Sequence, residues 1–222
     1  MQIEWYGQSA FRFADADHEV FIDPFGDMSA AASRGMKFDY PAISGVSPDL
    51  LIVTHEHGDH NGVEAIDGEP VLIRSKAGTH ESPIGPVVTV ASEHDDVAGT
   101  QRGANTIAVF SVDGLRIAHF GDFGQSALRP EQKAAIGKVD IAIVPAGGGF
   151  TIGGEAGAAL AAEVDAHWII PMHYGNERVD FLGPVDDFVA ASATVHHVGS
   201  TKLDTAELLQ TDGPLAIVFD AP

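Results

Sequence analysis

The sequence predicts an α/β protein built on mixed β-sheets. Short apolar runs separated by turn residues crowd its first half, a hairpin signal stands at Asp113-Gly114, and strand-like runs alternate with helix-like ones in the final third. Residues 3–6, 10–13 and 19–23 read as strands, parted by turn-forming Gly7 and the polar stretch 15–18. Residues 26–48 show no periodicity and read as a long loop. The run 50–54 is continuously apolar up to Thr54, as expected of a buried strand. A short helix is expected from Asp59 or His60 to Ile66. Strands follow at 70–73, 87–90, 106–112 and 116–120. A strand at 141–144 then leads through Gly147-Gly148-Gly149 into a helix at 155–164. A strand at 168–171, a helix at 185–191 and a last strand at 215–219 complete the reading.

Length and composition narrow the class. At 222 residues, 45% hydrophobic and 20% charged, the chain is expected to form a single domain over residues 1–222 with a sizeable core. No apolar stretch is long enough to span a bilayer, and the N-terminus lacks the basic region and apolar core of a signal peptide, so cytoplasm is the default expectation. The absence of cysteine leaves only nitrogen and oxygen to hold a metal. With 32 acids against 12 bases, a net charge of −20 repels phosphate backbones. The expected partner is therefore a small molecule, with neither nucleic acid nor membrane; oligomeric state is not written in the pattern.

Chemistry concentrates just after the apolar run at 50–53. Thr54-His55-Glu56-His57-Gly58-Asp59-His60-Asn61 places two histidines two residues apart, so that on an extended backbone both point the same way and can share one ion. Gly58 permits a turn that lets Asp59 and His60 reach a second. With 11 histidines in the chain, this spacing is expected by chance roughly 0.002 times, which weighs against an incidental histidine-rich loop. His94, Asp122 and His173 each follow an apolar strand-like run, the position from which a sheet can hold a ligand at its edge. Imidazole with carboxylate suits zinc, with manganese or iron as alternatives.

These motifs, in this order, make the chain resemble the metallo-β-lactamase superfamily, particularly its short lactonase-like branch of metal-dependent hydrolases. The resemblance rests on residues 3–11, Phe21-Ile22-Asp23-Pro24-Phe25, the ligand loop, Gly103-Ala104-Asn105-Thr106, Gly121-Asp122 and Pro171-Met172-His173-Tyr174. It implies a four-layer αββα sandwich, two mixed β-sheets flanked by helices, with two divalent metal ions at one edge. It further implies His55, His57 and His94 on one ion and Asp59, His60 and His173 on the other. Asp122 would bridge them, with Asp23 supporting a ligand histidine from behind. Glu56 between the first two histidines, and the acidic surroundings of His94 in Glu93-His94-Asp95-Asp96, are departures.

The function so implied is hydrolysis by a metal-bound hydroxide, with Asp59 and Asp122 as catalytic residues and a lactone or related small ester as substrate. Alternatives are a phosphodiesterase acting on a small substrate and a non-catalytic metal-binding or ligand-sensing protein. The loop 146–154 offers Gly148, Gly149 and Thr151 as a binding place for an anionic part of the substrate, since its amides precede a helix start. A flexible loop that merely permits close backbone approach explains it equally well. Tyr174, beside His173, is a candidate for the pocket wall.

Overall fold

The computed structural model describes residues 1–208 and 211–222. In chain order its strands are β1 (Gln2–Gly7), β2 (Ala10–Ala14), β3 (Glu19–Ile22), β4 (Leu50–Val53), β5 (Val71–Arg74), β6 (Gly78–His80) and β7 (Val87–Glu93). There follow β8 (Ala104–Val112), β9 (Leu115–His119), β10 (Ile141–Pro145), β11 (Trp168–Met172), β12 (Val195–His197), β13 (Lys202–Asp204) and β14 (Leu215–Val218). The helices are α1 (Ser29–Ala32), α2 (Pro130–Ile136), α3 (Gly154–Ala162) and α4 (Asp186–Ala191).

Two mixed sheets result, ordered β13-β1-β2-β3-β4-β5 and β12-β14-β11-β10-β9-β8-β7-β6. Each changes from antiparallel to parallel part-way across, at β3 in the first sheet and at β9 in the second. Side-chain alternation decides what each face meets. On β3 and β4, Val20, Ile22, Leu50 and Ile52 join the core between the sheets, while Phe21 and Leu51 face the other way into a second apolar cluster with Phe25, Tyr40 and Ile43. Both faces are thus buried, which is why residues 50–53 are apolar without alternation. Phe13 of the first sheet meets Phe110 of the second edge-to-face at 5.4 Å. Helix α3 packs on β10, β11 and α4, and α2 packs on β7. The outer face of the first sheet is covered mainly by the 25–46 loop, which contains α1.

Several elements depart from the sequence reading. The helix expected from 59 or 60 to 66 is only a 3₁₀ turn at Val63–Ala65. His60 and Asn61 both donate their N–H to the His57 carbonyl, and Gly62 donates back to Pro24 at 2.7 Å. The segment spends its backbone bonds on folding the ligand loop instead of propagating a helix. Strands β6, β12 and β13 were not expected; each is three residues long and is held by its sheet neighbour rather than by its own pattern. Helix α2 was also missed, although Pro130 at its first turn and Gly137 at its end are ordinary boundary signals.

Candidate metal centre

The ends of β4, β7, β9 and β11 converge on one edge of the sandwich. The sheets are tied together there: the Thr106 N–H and Oγ1 both donate to the Thr54 carbonyl, at 3.1 and 2.8 Å. Gly121, with φ +55°, turns the chain after β9; a Cβ there would stand 2.3 Å from Asn105 Oδ1 and 2.7 Å from Thr54 Oγ1. Only glycine fits this turn without displacement. The turn directs Asp122 inward, where its N–H donates to Asn105 Oδ1 at 3.1 Å. Gln8, Asp23 and His173 also hold positive φ without being glycine, and His173 N–H donates to the Gln8 carbonyl at 3.1 Å. Strain of this kind persists only where the surroundings over-determine it.

Seven side chains meet at this edge in two overlapping groups. Ligand-capable atoms of His55, His57, His94 and Asp122 lie within 4.8 Å of one another, and so do those of Asp59, His60, Asp122 and His173. Asp122 belongs to both. Its Oδ2 lies 2.9 Å from His94 Nε2 and 3.2 Å from His173 Nε2, and its Oδ1 lies 3.2 Å from His60 Nε2. His60 Nε2 and Asp122 Oδ1 are nevertheless buried without a hydrogen-bond partner. Each such orphan costs ~1–3 kcal/mol, and a cation between them would remove the cost. The donor set is nitrogen and oxygen throughout, so the residues present fit divalent metal ions.

The groups behind the cluster fix which nitrogen faces it. Asp23, fully buried, accepts from Thr54 N and Thr54 Oγ1 at 2.7 Å each and from His60 Nδ1 at 2.9 Å, leaving His60 Nε2 turned to the cluster. The Thr54 hydroxyl, its proton given to Asp23, accepts from His55 Nδ1 at 3.1 Å, which frees His55 Nε2. Gln8 Nε2 donates to Asp59 Oδ2 at 2.8 Å. Gln8, Thr54 and Asn105 all lie inside stretches that carried the family resemblance, but pattern alone gave them no task. Glu56 points out instead, making a forked ion pair with Arg74 at the end of β5. Asp95 answers for the acidity beside His94: its carboxylate accepts the N–H groups of Val97, Gly99, Gln101 and Arg102 and so folds that loop.

Protons and cations compete for this cluster. Burial opposes a charge on His173, yet Asp122 and Asp59 outweigh it and push the imidazole up to about 9. His60 is raised well above its ordinary value in the same way. Burial would raise Asp122, but His173 and His60 hold it well below the usual carboxylate range. His55, dominated by burial and then by the neighbouring His60, falls to about 3. Positive charge is therefore demanded on the side of the cluster lined by Asp59, His60 and His173.

A cavity of about 400 Å³ opens onto the cluster, reaching His57, Asp59, His94, Asp122 and His173. Thr151, Gly148, Gly149 and Tyr174 are not on its wall. The loop 147–153 closes on itself, with Gly148 N–H and Thr151 Oγ1 both donating to the Ile152 carbonyl, and it presents Phe150 to the cavity. Tyr174 is buried against Trp5, its hydroxyl 3.5 Å from the Phe219 carbonyl. A wider cleft of about 550 Å³ beside α3, lined by Glu155, Glu163 and Asp187 among others, contains none of the clustered histidines.

Residues 2–173 match the family described as a beta-lactamase superfamily domain. A protein of Nitratidesulfovibrio vulgaris named as a UPF0173 metal-dependent hydrolase is 30% identical over 203 residues, covering 78% of this chain and 80% of that protein. A namesake from Methylobacterium nodulans is 30% identical over 226 residues, covering 86% and 92%. Among solved structures, a Thermotoga maritima protein of the metallo-beta-lactamase superfamily, described provisionally as a Zn-dependent hydrolase, superposes with a TM-score of 0.77. It is 26% identical, with 99% of each chain covered.

Proposed function

The chain belongs to the metallo-β-lactamase superfamily and is a metal-dependent hydrolase, and from that premise we propose that it uses two divalent cations to cleave a small ester, a lactone or a related compound. His55, His57 and His94 would hold one ion and Asp59, His60 and His173 the other, with Asp122 shared. Zinc suits this set best, with manganese or iron as alternatives. When bound, such ions supply Lewis acidity and lower the pKa of water toward neutrality, so that a nucleophile is available without strong base.

The chain's own groups do the rest. Gln8 donates to Asp59 Oδ2, the oxygen that faces His60 and His173, and so holds the carboxylate where it would orient the attacking water. Asp122 stays ionised because His60 and His173 surround it. Asp23 and Thr54 keep His60 and His55 presenting Nε2. The sandwich is proposed to act as one domain over residues 1–222.

The observation that carries this reading is the pair of four-residue groups meeting at Asp122. Protein loaded in turn with zinc, manganese and iron, then desalted, is expected to retain close to two ions per chain and to open lactones from a panel that also contains small phosphodiesters. Asp122→Asn is expected to lower turnover at least about 10³-fold and to release metal, since both ions lose a shared ligand. Retention of at most one ion under every loading would overturn the dinuclear reading. Cleavage of the phosphodiesters alone would replace the ester by a phosphodiester.

A further inference from the structure

The cavity over the metal centre holds two arginines that nothing yet described requires. Arg34, just past α1, and Arg102, at the end of the loop folded by Asp95, both line it. In a chain with 32 acids and only 12 bases, most arginines find a carboxylate. Arg12, Arg74, Arg129 and Arg178 each face one. Among the described residues, no carboxylate stands in ion-pair contact with Arg34 or Arg102. Instead, the Arg102 guanidinium lies 4.4 Å from the centre of the Phe150 ring, and its Nη2 approaches the Gly149 carbonyl at 3.5 Å. Stacking orients the planar fork without neutralising it.

The loop under Arg102 is well anchored, because Asp95 Oδ2 accepts the Arg102 N–H at 2.8 Å and that of Gln101 at 2.9 Å. The rest of the cavity wall includes Met28, Met36, Phe150 and Phe181. One further acid, Asp27, lies on the wall, and it accepts the Ser29 N–H at 2.8 Å. Metal-ligating groups at the floor, an apolar wall and two uncompensated guanidinium groups describe an amphipathic anion.

We propose that Arg102 and Arg34 hold a carboxylate on the substrate, away from the bond that is cut, while Phe150, Phe181, Met28 and Met36 take its apolar body. The substrate class is thus an ester or lactone bearing a pendant carboxylate and a hydrophobic portion; the ester part rests on the function proposed above, the carboxylate part does not. A monoanion is favoured over a phosphate dianion because the repulsion from a molecule of net charge −20 grows with ligand charge. Arg102 stacked on Phe150 sets the plane in which a carboxylate can be gripped by two parallel N–H groups.

Calorimetric titration of the zinc-loaded protein with phenylacetate, phenylacetamide and benzylphosphonate tests this without turnover. Phenylacetate is expected to bind about tenfold tighter than its neutral isostere, the worth of one charge-assisted contact. Arg102→Gln and Arg34→Gln should each remove most of that preference and leave phenylacetamide binding within about twofold, at an unchanged Tm. Arg102→Lys should restore part of it. Equal affinity for acid and amide, or a preference that survives Arg102→Gln/Arg34→Gln together, would overturn the proposal, the latter because the carboxylate would then sit on the metal alone. Tighter binding of benzylphosphonate would overturn the choice of a monoanion. Loss of the preference in the arginine variants of a protein that cleaves none of the esters would leave the anion site standing and remove the ester reading.

Discussion

Gln8 shows how much a single buried side chain can decide at this site. It is fully buried, holds φ +51°, donates from Nε2 to Asp59, and its carbonyl accepts from Trp5 Nε1 and from the His173 N–H. The side chain therefore orients Asp59 while the backbone carries His173. Gln8→Met keeps volume and both backbone bonds but removes the donor. Steady-state kinetics are expected to show kcat reduced about 10–100-fold, the usual cost of losing a group that orients a ligand, with bound metal only partly depleted. Full kcat in this variant would mean that Asp59 keeps its orientation without help.

At the scale of elements, the site is a set of strand ends whose turns are sterically fixed. The turn after β9 is one such case, since Gly121 sits where Asn105 and Thr54 leave no room for a Cβ. Gly121→Ala adds a methyl group at positive φ and must push apart the two residues that brace Asp122 and tie the sheets. Destabilisation of ~2–4 kcal/mol is expected, with loss of metal, readable as a lowered denaturant midpoint alongside reduced metal content. A variant with unchanged midpoint and metal content would show that the turn has slack the packing does not reveal.

For the whole molecule, alkaline pH offers a readout independent of metal. The chain has three tyrosines, and each is held protonated by the fold. Burial and the nearby Glu4 push Tyr6 up to about 12, and burial raises Tyr40 and Tyr174. In the unfolded chain all three titrate near pH 10. Above that pH the unfolded state binds fewer protons than the native one, so stability falls as pH rises, over a window running from about pH 10 to about 12 for Tyr6. Absorbance titration of the native protein is expected to show no tyrosinate step near pH 10, and urea midpoints should decline through that window. A tyrosinate step near pH 10 in folded protein would show that the tyrosines are not shielded.

The sequence by itself determined the mixed sheets and the convergence of ligand types at strand ends, because both are written in local order: alternation, turn residues, and histidines spaced for an extended backbone. The continuous apolar run at 50–53 even announced a strand buried on both faces. Only the tertiary structure decided which side chains share a cavity. Arg34 and Arg102 are 68 positions apart and look like solvated surface residues in sequence, yet the 25–46 loop and the loop under Asp95 bring them to one wall. The same folding bonds the Gly148 and Phe150 amides within the 147–153 loop and puts Phe150 on the wall, a placement that pattern did not predict. The three-residue β13 escaped for a related reason, since its hydrogen bonds come from β1, about 200 residues away along the chain. Contacts of that range depend on chain topology, which no local periodicity records.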